Sequence, residues 1–155
     1  MGKQKNYGKI FEVQVLSSVP AYMYKLRIKD TVMRLKGDTN PCDMIIFYNG
    51  KLFMLELKST QNTSLPFSNI HFHQFQDLEI ASKVEGINAG FLIEMRNYGE
   101  TYYLDINKAL EYVNTSGRKS FSITYLRQNA IKVEQTLKRT RYGYNIEKLI
   151  TQDLK

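Results

Sequence analysis

The chain has 155 residues, and its 22 lysines and arginines outnumber its 15 aspartates and glutamates, for a net charge of +7. Its apolar runs are shorter than the roughly 18 residues of a membrane span, and its single cysteine excludes an internal disulfide and a multi-cysteine zinc site. A basic chain of this size predicts one domain, residues 1–155, that binds nucleic acid, with an anionic membrane surface as the second option.

The first residues, MGKQKNYGK, lack the apolar segment of a signal peptide. They also miss the myristoylation pattern, which requires serine or threonine where this chain has Asn6. The single cysteine suits a reducing compartment. These features predict a cytoplasmic protein without a membrane partner.

Residues 7–18 predict the first helix, because apolar side chains recur there near helical spacing. Glu12 lies among them, which is compatible with a solvated position on the helix surface. Pro20 ends the helix. The apolar residues are Ile10, Phe11, Val13 and Leu16.

Residues 24–29 predict a strand with one apolar face and one basic face. The basic face carries Lys25, Arg27 and Lys29. It is either a solvated edge of the sheet or a row of contacts to nucleic-acid phosphates. The basic charge of the chain and the carboxylate site that follows favour the second interpretation.

The segment 40–58, NPCDMIIFYNGKLFMLELK, predicts a β-hairpin. Asn49 and Gly50 separate two apolar runs, and a type I′ turn requires a positive φ at both central residues. With these two residues as the loop, Tyr48 pairs with Lys51. This pairing determines the register of the whole hairpin.

The register places Asp43 directly opposite Glu56, with Lys58 on the same face of the sheet. Like charges directly opposite each other destabilise a sheet, so the pair predicts a divalent cation between the two carboxylates. Hard oxygen ligands in this geometry suit Mg²⁺, or alternatively Mn²⁺. Cys42 is interpreted as a small packed residue, because the sequence implies no base that would activate its thiol.

Residues 69–85 predict a helix that Ser68 caps and Gly86 ends. Histidines two residues apart on a helix point about 200° away from each other, so His71 and His73 are not expected to share a metal. His71 either contacts a phosphate or is a polar residue at the helix start.

The last third of the chain predicts strands at residues 90–95 and 101–104, a short helix that Asp105 caps, and a helix followed by a strand within 122–133. Arg118 and Lys119 form a basic turn. In the tail, basic residues surround two tyrosines, which suits nucleic-acid backbone contact with base stacking. A solvated loop before a final helix capped by Asn145 explains the same residues. The tail's basic residues are Lys138, Arg139 and Arg141.

The motifs resemble those of the PD-(D/E)XK nucleases and, more closely, the RecU family of Holliday junction resolvases. The segments that carry the resemblance run from residue 40 through most of the chain. The resemblance implies an α/β, restriction-endonuclease-like fold with a mixed central sheet flanked by helices. The segments are NPCD (40–43), ELKST (56–60), SLPFSNIHFHQ (64–74), GFLIEM (90–95), YYLD (102–105) and GRKS (117–120).

The resemblance implies that Asp43, Glu56 and Lys58 are catalytic and that the ion is held by both carboxylates and the carbonyl of Leu57. It also implies that Gln74 contacts the scissile phosphate or the attacking water. Glu12 matches a glutamate on the first helix that leans towards the metal in related nucleases; the alternative remains that it is solvated.

The resemblance therefore implies a metal-dependent, structure-selective DNA endonuclease that resolves four-way junctions by paired symmetric nicks, as a homodimer. The sequence departs from RecU at residues 30–39, where that family has a long stalk. This departure leaves open a nuclease for another DNA structure. A non-catalytic DNA-binding protein on the same scaffold is a further alternative, whose signature would be the loss of Asp43, Glu56 or Lys58, and all three are present.

Overall fold

A computed structural model describes residues 2–29 and 39–154. Residues 30–38, most of the segment in which the sequence departs from the RecU pattern, lie outside this range. The strands are β1 Tyr24–Arg27, β2 Met44–Tyr48, β3 Lys51–Thr60, β4 Ser64–Pro66, β5 Ile87–Met95, β6 Glu100–Asp105, β7 Ser120–Ser122, β8 Ile131–Val133, β9 Gln135–Lys138 and β10 Arg141–Tyr144. The helices are α1 Tyr7–Ser18, α2 Phe72–Ser82, α3 Ile106–Thr115, α4 Ile123–Asn129 and α5 Ile146–Thr151.

A six-stranded mixed sheet in the order β1-β2-β3-β5-β6-β8 is the centre of the described chain. β3 and β5 are parallel, and the other neighbours are antiparallel. Two smaller pairs, β9 with β10 and β4 with β7, lie outside it. The predicted α/β class with a mixed central sheet is confirmed.

Alternating side chains of the central strands build a core on each face of the sheet. On one face Met54, Phe91 and Ile93 pack with α2, α3 and α4. On the other face Phe53 and Leu55 pack with α1 and α5. Because both faces of β3 are covered, a charged side chain on this strand is held away from bulk water.

The predicted hairpin register is confirmed. Tyr48 pairs with Lys51, and the two strands stay in this register to Met44 opposite Leu55. Asn49 has a φ of 49° and Gly50 a φ of 76°, as the turn requires.

The first helix begins and ends at the predicted residues, with Asn6 as its N-cap. The strand expected at residues 24–29 is shorter, because β1 ends at Arg27. Ile28 nevertheless donates its N–H to the carbonyl of Asp43 at 2.8 Å, so the contact with the hairpin continues.

The prediction of one helix over residues 69–85 was wrong at both ends. Residues Phe67–Asn69 form a separate 3₁₀ turn, and α2 begins only after His71, whose extended backbone (ψ 146°) is its N-cap. The helix ends at Ser82. Gly86 has the expected positive φ, 87°, but it lies in the turn that leads into β5.

In the last third, Asp105 and Asn145 cap α3 and α5 as predicted, and residues 122–133 contain a helix followed by a strand. The tail differs from the loop interpretation, because β9 and β10 form a hairpin there. Within the part of the chain that the structure describes, none of the helices has the length and apolar character that crossing a membrane requires.

Candidate active site

Asp43 and Glu56 come together beside the middle of the sheet. Asp43 lies just before β2, and its Oδ2 accepts the N–H of Leu57 at 2.8 Å. Glu56 lies within β3 and is only 3% exposed. The Lys58 Nζ is 3.2 Å from the Glu56 Oε1. The structure thus brings together the two carboxylates and the lysine that the register predicts.

Burial dominates the electrostatics of the pair. Burial first, and the negative charge of Asp43 second, raise the pKa of Glu56 to about 8, although the Lys58 ammonium opposes both effects. Burial also raises the pKa of Asp43, against the N–H of Leu57, which favours the ionised form. Two charges are therefore costly at this position unless a cation compensates them.

Gln74 connects α2 to the carboxylates. Its Nε2 donates to the Oε1 of Glu56, and its own Oε1 accepts the backbone N–H of His71 at 2.9 Å. Because both ends of the amide are engaged, its orientation is determined. Gln74, which was predicted to lie near the end of β3, thus directly contacts the glutamate of that strand.

Glu12 is half-buried and forms an ion pair with Arg27, with separations of 2.6 Å to a guanidinium nitrogen and 2.9 Å to Nε. Its charge still raises the pKa of Asp43, which places it at the edge of the site. Glu12 is therefore beside the carboxylate pair, with its charge compensated by Arg27.

The basic face of β1 contacts α1. The Lys25 Nζ donates to the carbonyl of Leu16 at 2.9 Å, near the carboxyl end of that helix, where a cation is favourable. Arg27 binds Glu12, as above. These two side chains therefore have partners within the chain, while Lys29 is exposed beyond the end of β1.

The prediction that His71 and His73 diverge was wrong. Their rings are stacked, with centroids 5.6 Å apart and an interplanar angle of 10°. The reason is that His71 precedes the helix instead of lying on it, so helical geometry does not separate the two side chains.

Cys42 is 1% exposed, and burial raises the pKa of its thiol, so it is a packed residue as predicted. The remaining predicted nucleic-acid contacts lie at exposed turns. Arg118 and Lys119 follow α3, and three more basic residues are at the tip of the β9–β10 hairpin. These three are Lys138, Arg139 and Arg141.

Sequence reasoning missed a polar network on the opposite face of β3. Ser59 Oγ donates to Glu94 at 2.7 Å and receives a hydrogen bond from Arg96 at 2.8 Å. Tyr144 donates to the other oxygen of Glu94 at 3.3 Å. The signal that could have revealed it is the lone acidic residue in GFLIEM, since a carboxylate in an apolar strand needs partners.

Across residues 2–29 and 39–154, no three His, Cys, Asp or Glu side chains converge as metal ligands. The donors at the site are two carboxylates and the adjoining peptide group of Leu57. This set fits Mg²⁺, which commonly takes one or two carboxylates and keeps several waters. It does not fit a structural zinc site, which takes four protein ligands.

The family model described as RecU, recombination protein U, matches residues 16–146. The SPbeta prophage-derived uncharacterized protein YotM of Bacillus subtilis strain 168 is 30% identical over 97% of this chain and 88% of its own length. The Holliday junction resolvase RecU of Streptococcus pyogenes serotype M1 is 30% identical over 70% of this chain.

That alignment covers 54% of the streptococcal protein, so the chain spans about half the length of this relative. Among solved structures, Hjc from Archaeoglobus fulgidus, a Holliday junction resolvase, matches with a TM-score of 0.50 at 11% identity. The match covers 71% of this chain and 82% of Hjc. At this identity the likeness supports the fold alone.

Proposed function

The chain belongs to the RecU family, and from this membership we propose that it is a divalent-metal-dependent DNA endonuclease of the cytoplasm that resolves Holliday junctions. The observation that carries the proposal is the pair of half-buried Asp43 and buried Glu56, with Lys58 3.2 Å from Glu56 and Gln74 bound to it. This arrangement of like charges is costly in a metal-free protein and becomes favourable around a cation.

We propose Mg²⁺ as the ion, held by Asp43, Glu56 and the carbonyl of Leu57, with Mn²⁺ as a substitute. When bound, such an ion lowers the pKa of a water molecule and offsets negative charge on the phosphate.

The residues around the carboxylates have separate tasks. Gln74 holds Glu56 in one orientation, and the N–H of Leu57 does the same for Asp43. Lys58 favours ionised Glu56 and lies where it can orient the attacking water or stabilise developing charge. Arg27 holds Glu12 at the edge of the site.

The substrate is proposed from the relatives named as Holliday junction resolvases. The sequence between Asp30 and Thr39 is too short for the long stalk of RecU, and this favours a second candidate: an endonuclease for another branched DNA, such as flaps or nicked duplexes.

We further propose a homodimer, because symmetric nicks in two strands need two active sites related by a two-fold axis. Exposed apolar side chains on one side of the sheet support it. Phe72 and Ile80 on α2 are 76% and 65% exposed, and Tyr24 and Phe47 on β1 and β2 are 60% and 45% exposed. Large apolar side chains exposed in this way suit an interface that buries them between two copies.

The test is cleavage of an end-labelled four-way junction and of a linear duplex of the same sequence, with Mg²⁺, with Mn²⁺ and with EDTA. We expect paired nicks in the junction only, which EDTA abolishes. The variants Asp43→Ala and Glu56→Ala should lose cleavage by at least about a hundredfold while DNA binding is kept or increased, because less negative charge faces the phosphates. Glu85→Ala removes an exposed carboxylate from another surface and should cleave normally.

The outcomes separate the parts of the proposal. Normal cleavage by Asp43→Ala would refute the assigned site. Equal cleavage of junction and duplex would refute junction selectivity and leave the nuclease assignment intact. Binding without cleavage in either metal would identify a non-catalytic DNA-binding protein.

A further inference from the structure

A groove of about 840 Å³ runs between α1 and the β9–β10 hairpin, a volume within the range of ligand sites. Its walls are held together by contacts at its base. The backbone N–H of Tyr144 donates to the Ser18 Oγ at 3.0 Å, and the rings of Phe11 and Tyr144 meet edge to face at 5.5 Å. These contacts fix the hairpin against α1, so the shape of the groove is set by the fold.

Part of the lining of the groove is apolar. Ile10 and Val13 of α1 line it and are 39% and 50% exposed, although their helical spacing would have suggested burial. The half-buried ring of Tyr142 lines the opposite wall beside Gly143. An aromatic ring and aliphatic side chains thus face one another across an open space.

The rims of the groove are basic. Lys9 lines it from α1, and Lys138 and Arg141 line it from the hairpin. Within the described residues, none of these three has an acidic partner. Glu134, the one acidic side chain in the lining, is paired with Lys148 at 2.8 Å. The uncompensated charge of the groove is therefore positive.

We propose that this groove binds an unpaired strand of DNA, with bases against Tyr142 and phosphates on the basic rims. Proteins that hold single strands combine these two elements, a positive groove and an aromatic platform. A duplex keeps its bases stacked inside and leaves the ring of Tyr142 and the aliphatic side chains unused, so these side chains favour the single strand. The inference rests on the proposed function only in taking DNA as the partner.

The groove is connected to the active site through shared elements. Lys9 lies one turn before Glu12 on α1. Tyr144, at the base of the groove, donates to Glu94, which is bound by Ser59, the residue next to Lys58. A substrate that occupies both the groove and the active site is branched DNA with a strand that leaves the branch point unpaired, which is the class of the second candidate proposed above.

The test measures binding without cleavage. Fluorescence anisotropy in EDTA compares a labelled oligothymidylate with a labelled duplex over a range of salt concentrations. Tyr142→Ala should weaken binding of the single strand about tenfold, leave duplex binding unchanged, and keep the salt slope, because no charge is removed. The double variant Lys138→Ala with Arg141→Ala should reduce the slope of log K against log salt by about 1.4.

Matched variants on the other side of the sheet control for general effects. Tyr98→Ala removes an exposed tyrosine beside Arg127 of α4, and Lys83→Ala with Lys108→Ala removes two charges; both should bind the single strand like wild type. Tyr142→Phe keeps the ring and should also bind normally, and a thermal melt checks that each variant folds.

Wild-type affinity of Tyr142→Ala for the single strand would overturn the proposal. So would an equal loss of duplex and single-strand binding, which would indicate a nonspecific basic surface. If Tyr142→Ala does not fold, Val13→Glu, which changes an exposed residue on the opposite wall, takes its place with the same expected loss. Because EDTA prevents cleavage, these outcomes do not depend on whether the protein is a nuclease.

Discussion

At the residue scale, Glu56 is the costliest side chain of the site. A buried carboxylate is tolerated only with strong partners, and its neighbours include a second carboxylate. Lys58 and Gln74 contribute one contact each to the same oxygen, Oε1. The site is therefore prepared for an additional cation and strained without one.

This strain predicts a pH dependence of stability. The pKa of Glu56 is raised from 4.5 to about 8 in the folded metal-free protein, so the native state favours the protonated form. The resulting stability is fully present below pH 4.5 and is lost as the pH rises towards 8. We expect the stability of wild type relative to Glu56→Gln, which stays neutral, to fall by on the order of a few kcal/mol across this range.

Urea unfolding of both proteins in EDTA between pH 4.5 and 8.5 measures this difference. The variant Glu85→Gln, in which an exposed carboxylate is neutralised, should follow wild type at every pH. A constant difference between wild type and Glu56→Gln would contradict the assigned burial of the carboxylate. Addition of Mg²⁺ at pH 8 should stabilise wild type more than Glu56→Gln, because the ion binds the ionised pair.

At the element scale, β6 leaves no room for a side chain at Gly90 of β5. A Cβ placed on Gly90 would lie 2.4 Å from the carbonyl oxygen of Leu104 and 3.0 Å from Cε2 of Tyr103. The first neighbour is backbone of the adjacent strand, so it has little freedom to move. Glycine is therefore required at this position, because a Cβ has no room there.

Gly90→Ala should accordingly destabilise the protein by about 3 kcal/mol or more, in the upper range of overpacking in a core. Gly8→Ala is the matched control, because its Cβ would meet only the side chain of Asn6 at 3.5 Å and alanine favours helices. It should be neutral or stabilising. Thermal or urea unfolding measures both, and equal stability of Gly90→Ala and wild type would refute the close approach.

Elements with strong local signals were predicted to the residue, and elements without them were not. α1 and the Asn49-Gly50 hairpin depend on helical spacing and on a turn that two residues specify. The start of α2 was misplaced because a 3₁₀ turn intervenes before it. The β9–β10 hairpin was missed because its turn places Arg139, not glycine or asparagine, at a positive φ of 56°.

At the scale of the whole molecule, the part of the site that follows from one hairpin was predictable. Asp43, Glu56 and Lys58 share a register, so sequence spacing alone brings them together. The ion pair of Arg27 with Glu12 and the bond from Ser59 to Glu94 depend on how helices and strands pack, which no local pattern encodes. For the same reason, the sequence could not show that the basic face of β1 packs against α1.

The exposed apolar surface predicts how two copies meet. Tyr24 pairs with Phe47, so both point to one side of the sheet. Neighbouring Ile45 packs against the core on the α2 side, and this assigns Phe47, two residues along, to the same side. Ile80 of α2 is 65% exposed there. We expect a dimer in solution that buries this surface, and Ile80→Glu should shift it to monomer at equal concentration, because a charge is costly in an apolar interface.

Light scattering after gel filtration measures the oligomeric state. Leu137→Glu is the matched control, since Leu137 is 58% exposed on the β9–β10 hairpin, which packs on α1 across the sheet. It should remain dimeric. The Ile80→Glu monomer should still nick a junction, with the two nicks no longer paired in time, because Gln74 and the carboxylates are intact in each copy. A dimeric Ile80→Glu would show that the copies meet through another surface, and a monomeric wild type would refute the two-fold arrangement itself.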